Sequence, residues 1–530
     1  MNNAVAMARL SERRSRSINA TDGDEVIIGK DVLELVTGAM YVDPMTIFRE
    51  YIQNAVDSID VGRAANLYRG SARPRIEVSL DSANRTIKIK DNGTGIAASE
   101  FWKRMTSIGA SGKRGSQQRG FRGVGRLSGL GYASELLFRS RAVGEQRVSQ
   151  LSWNGRRLRE ILRDGKYAGG LDDVIRAVAD FSTPSVPETD GHFLEVELRG
   201  VARIGNDALL NPDEVRAYLG QSAPVPFSAS LNCAPQLQGY LASHGIASEV
   251  DIVVTGDDAP ITRPLTNRIR THGRNTDSLK EVELVEIPSL DGLTLDAIGW
   301  VIHHSYLGAI PRTAGYAGIR LRAGNIQVGG ANLLDSLFTE PRFNSWCVGE
   351  IHVLSNRIVP NGRRDDFEQN AHYQNLLSHA AGIAARVSKL CRDRSMQRNR
   401  VRRAALLKQA ADEQLLILRD RKSPAMIKEH YRKLVTKTLG QLRRIAEDNN
   451  FSVDDRRAIG TIANSLAKSM ADVRPSRASD PAASFLPPKQ RKIFLATLKL
   501  VIGCCDTPEQ AAQLTRRVMD RARRRYKQQH

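Results

Sequence analysis

Apolar residues recur at helical spacing between Ile47 and Asp60: Ile52, Ala55, Val56 and Ile59 share one face, and Glu50, Asn54 and Asp57 fall on the other. This predicts an amphipathic helix, with Asp43 as cap and Pro44 in its first turn. A carboxylate one turn ahead of a carboxamide suits a general base beside a metal ligand, although a solvated polar face has the same pattern. Residues 75–80 and 86–90 alternate apolar and polar positions around the turn-forming Asp81 to Arg85, predicting a hairpin. The second strand runs into Asp91-Asn-Gly93-Thr-Gly95, where a carboxylate is able to accept a hydrogen bond from an exocyclic amine and glycines allow close approach to a flat base.

A short helix is expected over 101–108, followed by glycines and cations from Gly109 to Gly125, including Gly112, Gly115, Gly120 and Gly123. Such a segment is rich in free backbone N–H groups, and an apolar helix beginning beyond Gly125 would add its N-terminus to a phosphate site. Further strands are expected at 134–139, 148–153 and 193–198, the last introduced by Gly191-His192.

Beyond residue 200 the pattern predicts strands at 251–254, 295–303, 319–322 and 348–354, with a helix over 212–219. Arg357 to Glu368 puts arginines on a Pro/Asn/Gly loop ahead of a helix. His303-His304 are adjacent on a strand and therefore point to opposite faces, which disfavours a shared metal. From about 380 the periodicity is helical, over 401–418, 425–447, 453–471, 489–502 and 508–526, with a Pro/Ser/Ala-rich linker at 473–488.

At 530 residues, several domains are expected: a mobile arm over 1–22, an α/β domain over 23–200, a second over 201–380 and a helical region over 381–530. The net charge of +20 is localised: residues 1–380 hold 44 Lys and Arg against 44 Asp and Glu, and residues 381–530 hold 34 against 14. The basic C-terminal region is thus a candidate for nucleic acid or another polyanion. Five scattered cysteines show neither ligand pairs nor a disulfide framework. No stretch of 18 apolar residues and no apolar signal core occur, so a cytoplasmic chain with no membrane contact is expected.

The Glu/Asn helix, Asp-x-Gly-x-Gly, the glycine segment and the closing Gly-x-strand, in that order, resemble the ATP-binding domain shared by gyrase, the ninety-kilodalton heat-shock chaperones, histidine kinases and MutL, the GHKL superfamily. Phe48-Arg-Glu-Tyr-Ile-Gln-Asn-Ala-Val-Asp-Ser and Ile108-Gly-Ala-Ser-Gly are most similar to the heat-shock branch. The resemblance covers roughly residues 25–200. It implies an α+β fold of the Bergerat type, a mixed sheet covered on one side by helices, binding ATP and Mg2+. Glu50 would polarise the attacking water, Asn54 would bind magnesium and Asp91 would recognise the adenine amine. Asp57 would support the pocket, Gly93 and Gly95 would lie near the base, and Gly120, Gly123, Val124 and Gly125 would meet the phosphates. His192 stands where the family often has threonine. In related clamp ATPases a basic residue from the second domain reaches the terminal phosphate, which makes Arg363 and Arg364 the candidates here. The implied activity is slow ATP hydrolysis driving lid and domain closure in a transient homodimer, with a client protein as in a chaperone. The rival expectations are a DNA-associated clamp like MORC and MutL, and a nucleotide-gated scaffold with little turnover.

Overall fold

The computed structural model describes residues 33, 43–70, 73–108, 125–184, 191–246, 249–272, 276–421, 423–448, 451–473 and 483–529. Two compact units, Met1–Ser388 and Lys389–His530, divide the chain. The expected arm over 1–22, most of the glycine segment and much of the linker lie outside the described residues.

Among the described residues, the first unit contains α1 (Thr46–Ala64), β1 (Arg75–Asp81), β2 (Thr86–Asp91) and α2 (Ala98–Thr106), followed by β3 (Glu135–Arg141) and β4 (Ser149–Asn154). Next come α3 (Gly155–Arg163), α4 (Leu171–Val178), β5 (Ala179–Ser182), β6 (Phe193–Arg199), α5 (Pro212–Ser222), α6 (Ala234–Ser243) and β7 (Asp251–Val254). Seven strands form one mixed sheet in the order β5-β4-β3-β6-β2-β1-β7. Its pairs are antiparallel except β1 with β7, so the edge strand comes from beyond residue 200. In β1 the alternation works as read: Ile76, Val78 and Leu80 are buried while the residues between them face solvent. The β1–β2 turn is held by Asn84 N–H donating to Asp81 Oδ1 at 2.9 Å, with Arg85 at φ +52°.

Helix α1 lies in the core of this unit. Ile47, Phe48, Ile52, Val56 and Ile59 are fully buried, each contributing roughly 1.5–3 kcal/mol. That burial anchors a helix whose Glu50, Gln53 and Asp57 are also withdrawn from solvent, so its second face is not a solvated one. The helix expected beyond Gly125 is instead a 3-10 segment, Gly125–Gly131. Three glycines in seven residues weaken an α-helix, and Gly129 is fixed by packing: a Cβ there would meet the Tyr51 hydroxyl at 2.5 Å. Sequence periodicity also missed α3, which Asn154 caps by accepting from Arg157 N–H at 2.9 Å.

The rest of this unit contains β8 (Arg268–Arg270), β9 (Thr276–Ser278), β10 (Glu281–Pro288), β11 (Leu295–His303), β12 (Gly318–Ala323), β13 (Ile326–Val328) and β14 (Val348–Val353). Five of them form a second sheet in the order β10-β11-β14-β12-β13, and β8 pairs with β9 alone. Buried on this sheet, Glu350 contacts Arg263, Arg322 and His352. Although burial opposes its ionisation, the two guanidinium groups hold its carboxyl well below the usual range, and burial pushes His352 down to about 4.

Helix α7 (Ala371–Arg419) carries the chain from the first unit into the second, which continues through α8 (Ala425–Glu447), α9 (Val453–Ala471), α10 (Pro488–Gly503) and α11 (Pro508–Gln529). Leu415, Ile427, Val435, Leu442, Ile459, Leu466, Leu498 and Ile502 form its apolar core. The fold class is therefore α+β with a helical C-terminal region. Among the described residues no helix is long and apolar enough to cross a membrane.

Candidate active site

Glu50 is 6% exposed, and its Oε1 lies 3.1 Å from Nε of Arg364. Arg364 also donates to the Gln53 carboxamide one turn along the helix. The loop bearing Arg364 is held from two sides. Arg49 donates to the carbonyls of Arg364 at 3.4 Å and Arg363 at 3.3 Å, and Gly329 N–H donates to the Arg364 carbonyl at 2.9 Å. Arg364 itself has φ +55°, a conformation that needs such support in a non-glycine residue. Of the two candidate arginines, then, Arg364 sends its side chain to Glu50, while Arg363 offers its carbonyl to Arg49 and its side chain is exposed.

Arg49, Arg363 and Arg364 also line a cavity of about 320 Å³ with Thr46, Tyr218 and Gln327. The neighbouring carboxylates are committed locally: Asp365 accepts from Asn361 at 2.7 Å, and Asp366 from the Tyr373 hydroxyl at 2.6 Å.

Gly125 closes against the same carboxylate, since a Cβ there would sit 2.1 Å from Glu50 Oε2. Just beyond it, Tyr51 donates to the Arg126 carbonyl at 3.1 Å and accepts from Gly129 N–H at 2.9 Å, which fixes the chain over α1. Asn54 is half-buried one turn after Glu50, and Asp57 is buried one turn further. Among the described residues no group of three or more His, Cys, Asp and Glu has the arrangement of a metal site.

At the end of β2, Asp91 is 3% exposed and its Oδ1 accepts from Gly93 N–H at 2.8 Å. Burial without a salt-bridge partner among the described residues pushes its carboxyl up to about 7, against the hydrogen bonds from Gly93, Ser58 and Leu194. Gly93 is required by contact: a Cβ there would meet Ser58 Oγ at 2.2 Å and Asp91 Oδ1 at 2.8 Å. Gly95, at φ +64°, is pressed against the backbone of Arg141, where a Cβ would meet the carbonyl at 2.1 Å. His192 Nδ1 bonds the Gly93 carbonyl and so ties the start of β6 to this loop. Gly120, Gly123 and Val124 lie outside the described residues.

A family described as "Histidine kinase-, DNA gyrase B-, and HSP90-like ATPase" matches residues 44–161. The chain carries a GHKL-type, heat-shock-90-like ATPase domain. Similar proteins include the chaperone protein HtpG of Escherichia coli O1:K1 / APEC, 31% identical over 209 residues, which cover 36% of this chain and 30% of that protein. HtpG of Enterobacter sp. (strain 638) is 30% identical over 165 residues, covering 28% of this chain and 25% of the relative. HtpG of Acinetobacter baylyi is 33% identical over 139 residues, covering 23% and 22%. The chain thus spans less than a third of the length of these curated relatives.

In this GHKL-type domain, sequence reasoning missed Arg49, Gln53 and Ser58. All three sit on α1 beside residues it selected, and nothing in their spacing separates a side chain that clamps a distant loop from one that faces solvent. The expected weak case for metal at His303-His304 ends with their partners. His303 bonds Tyr306 at 2.7 Å and Glu283 at 2.9 Å, and His304 bonds Asp277 at 2.8 Å and the Trp346 carbonyl at 2.9 Å.

Proposed function

We propose that the protein is a cytoplasmic, magnesium-dependent ATPase that hydrolyses ATP slowly and uses it to drive closure, as a chaperone-like machine. The observation that carries this reading is the meeting of Glu50 with Arg364, contributed by segments more than 300 residues apart. A buried carboxylate and a guanidinium at one point form a pair that orients water and stabilises charge on a terminal phosphate.

In this reading residues 23–200 bind the nucleotide, residues 201–380 supply Arg364, and the helical region over 381–530 serves another partner. The adenine amine donates to ionised Asp91, with Gly93 and Gly95 keeping the loop close to the base and His192 and Asp57 supporting it. Glu50 accepts a hydrogen bond from the attacking water and directs it in line with the terminal phosphate. Arg364 moves its charge from Glu50 to that phosphate, which frees the carboxylate for the water. Gly120, Gly123, Val124 and Gly125 offer backbone donors to the phosphates.

The fit to Mg2+ rests on chemistry: a half-buried carboxamide oxygen at Asn54 matches a hard cation that takes few protein ligands and completes its shell from phosphates and water. Bound there, the ion supplies charge neutralisation on the phosphates. Arg363 is a positioning residue through its carbonyl rather than a phosphate ligand. ATP drives closure through contacts that exist only in the closed state, and two protomers closing transiently over a client protein is the corresponding cycle.

Replacing Glu50 with alanine tests the reading. ATP affinity, measured by calorimetry, is expected within a few-fold of wild type, and turnover is expected to fall by about 10²–10⁴. Undiminished turnover in Glu50→Ala removes Glu50 as the water-orienting group.

A further inference from the structure

The second unit carries its charge in a way that the ATPase reading does not use. Residues 389–530 contain 33 Lys and Arg against 14 Asp and Glu. The densest part is the end of α11, where seven cations lie between Arg516 and Lys527 with Asp520 as the lone carboxylate. Six of the seven are arginines.

Arg517, Arg521, Arg524 and Arg525 are all exposed, and no side-chain hydrogen bond, ion pair or ring contact engages them among the described residues. At 3.6 residues per turn they fall within one arc of roughly 100° on the helix surface. The opposite face is fixed inward: Ala511, Ala512 and Thr515 are buried, and Val518 and Met519 pack against the unit's apolar core. Tyr526 packs against Phe485 with tilted rings 6.2 Å apart, and Arg523 lies over the Phe485 ring at 5.8 Å, so the last turns are tethered as well. The row therefore cannot rotate away from solvent.

Stabilisation of the helix itself does not account for the row. The helix dipole favours cations only in the last turn, whereas Arg517 and Arg521 lie upstream of it. Asp520 is spaced to offset Arg517 and Arg524, but Arg521 still has like charges at three and four residues in Arg517, Arg524 and Arg525, each of which destabilises an isolated helix by a few tenths of a kcal/mol. A polyanion relieves that repulsion.

We infer that this arginine row is a binding surface for the phosphate backbone of double-stranded nucleic acid, read without regard to sequence. Over the ~12 Å from Arg517 to Arg525, a duplex presents about seven phosphates, which gives each guanidinium a bidentate acceptor. Leu514 is the one exposed large apolar side chain on this arc of the helix, at its upstream end, and between Arg517 and Lys527 the arc carries none, unlike the continuous apolar face of a helix that inserts into a lipid surface. It carries no aromatic platform for stacking unpaired bases either, which favours duplex over single strands.

The test uses the full chain and a fluorescein-labelled 20-base-pair DNA duplex, followed by anisotropy between 50 and 200 mM salt. Wild type is expected to bind with a steep salt dependence. R517Q/R521Q/R524Q/R525Q is expected to lose about three to four from the slope of log K against log salt, with affinity at 50 mM down at least about tenfold. The four-lysine variant at the same positions keeps the slope because it keeps the charge. ATP turnover and melting temperature of each variant, compared with wild type, verify folding. Unchanged duplex binding by the glutamine variant overturns the assignment. So does an equal loss in K433Q/K437Q/R443Q/R444Q on α8, or binding of poly-aspartate with no binding of duplex.

Discussion

The Asp91 carboxyl is held where it costs the protein stability, and this makes it the sharpest point of attack. Its pKa is raised from an ordinary carboxylate value of 3.8 to about 7 by burial. Because the folded value is the higher one, the native state binds the proton more tightly than the unfolded chain. The contribution is therefore absent below about pH 4, where both states are protonated, and grows as a penalty up to about pH 7, where the native carboxyl ionises. Three pKa units correspond to about 4 kcal/mol of destabilisation above pH 7.

Asp91→Asn keeps the shape and an acceptor oxygen for Gly93 N–H but removes the ionisation. In thermal melts from pH 4 to pH 8 the variant is expected to match wild type at pH 4 and to melt progressively higher than wild type as pH rises. ATP affinity moves the other way. If ionised Asp91 accepts from the adenine amine as proposed, wild-type affinity measured by calorimetry should weaken up to about tenfold from pH 8 to pH 6. The asparagine variant should bind poorly at every pH, because its amide presents donors where the base also donates. A melting difference independent of pH refutes the burial argument, and tight ATP binding by Asp91→Asn refutes the recognition role.

Removing Arg364 leaves Glu50 buried beside no guanidinium, so Arg364→Ala should destabilise the first unit by about 3–5 kcal/mol and cut turnover by about 10² or more. Arg363→Ala should stay within a few-fold of wild type in the same two assays, because the carbonyl that Arg49 grips is retained. Equal losses in the two variants contradict the assignment of Arg364 alone. Gly125→Ala drives a methyl group toward Glu50 Oε2, so a turnover loss of at least about tenfold is expected with a stability cost of about 1–3 kcal/mol; wild-type turnover contradicts the contact.

The local periods of the sequence determined a good deal. Ile76, Val78 and Leu80 specify a half-buried strand, and α8 and α9 begin and end at the residues where the apolar spacing does. The order of the Glu50 helix, the Asp91 loop and the glycines identified the kind of ATPase domain, because those residue types are bound to one local geometry. The charge imbalance of the C-terminal region was legible by counting. Tertiary structure decided what spacing does not encode. Whether Glu50 faces water or a guanidinium depends on a loop more than 300 residues away. That Arg364 rather than Arg363 supplies that guanidinium is legible only in the folded loop, where Arg364 sits at φ +55° with its carbonyl held by Gly329 and Arg49. The segment after Gly125 reads as a helix by composition, but Glu50 and Tyr51 leave no room for side chains at Gly125 and Gly129, and it winds as a 3-10 turn. The seven-stranded sheet takes its last strand from Asp251–Val254, a pairing set by what can cover β1 rather than by distance along the chain.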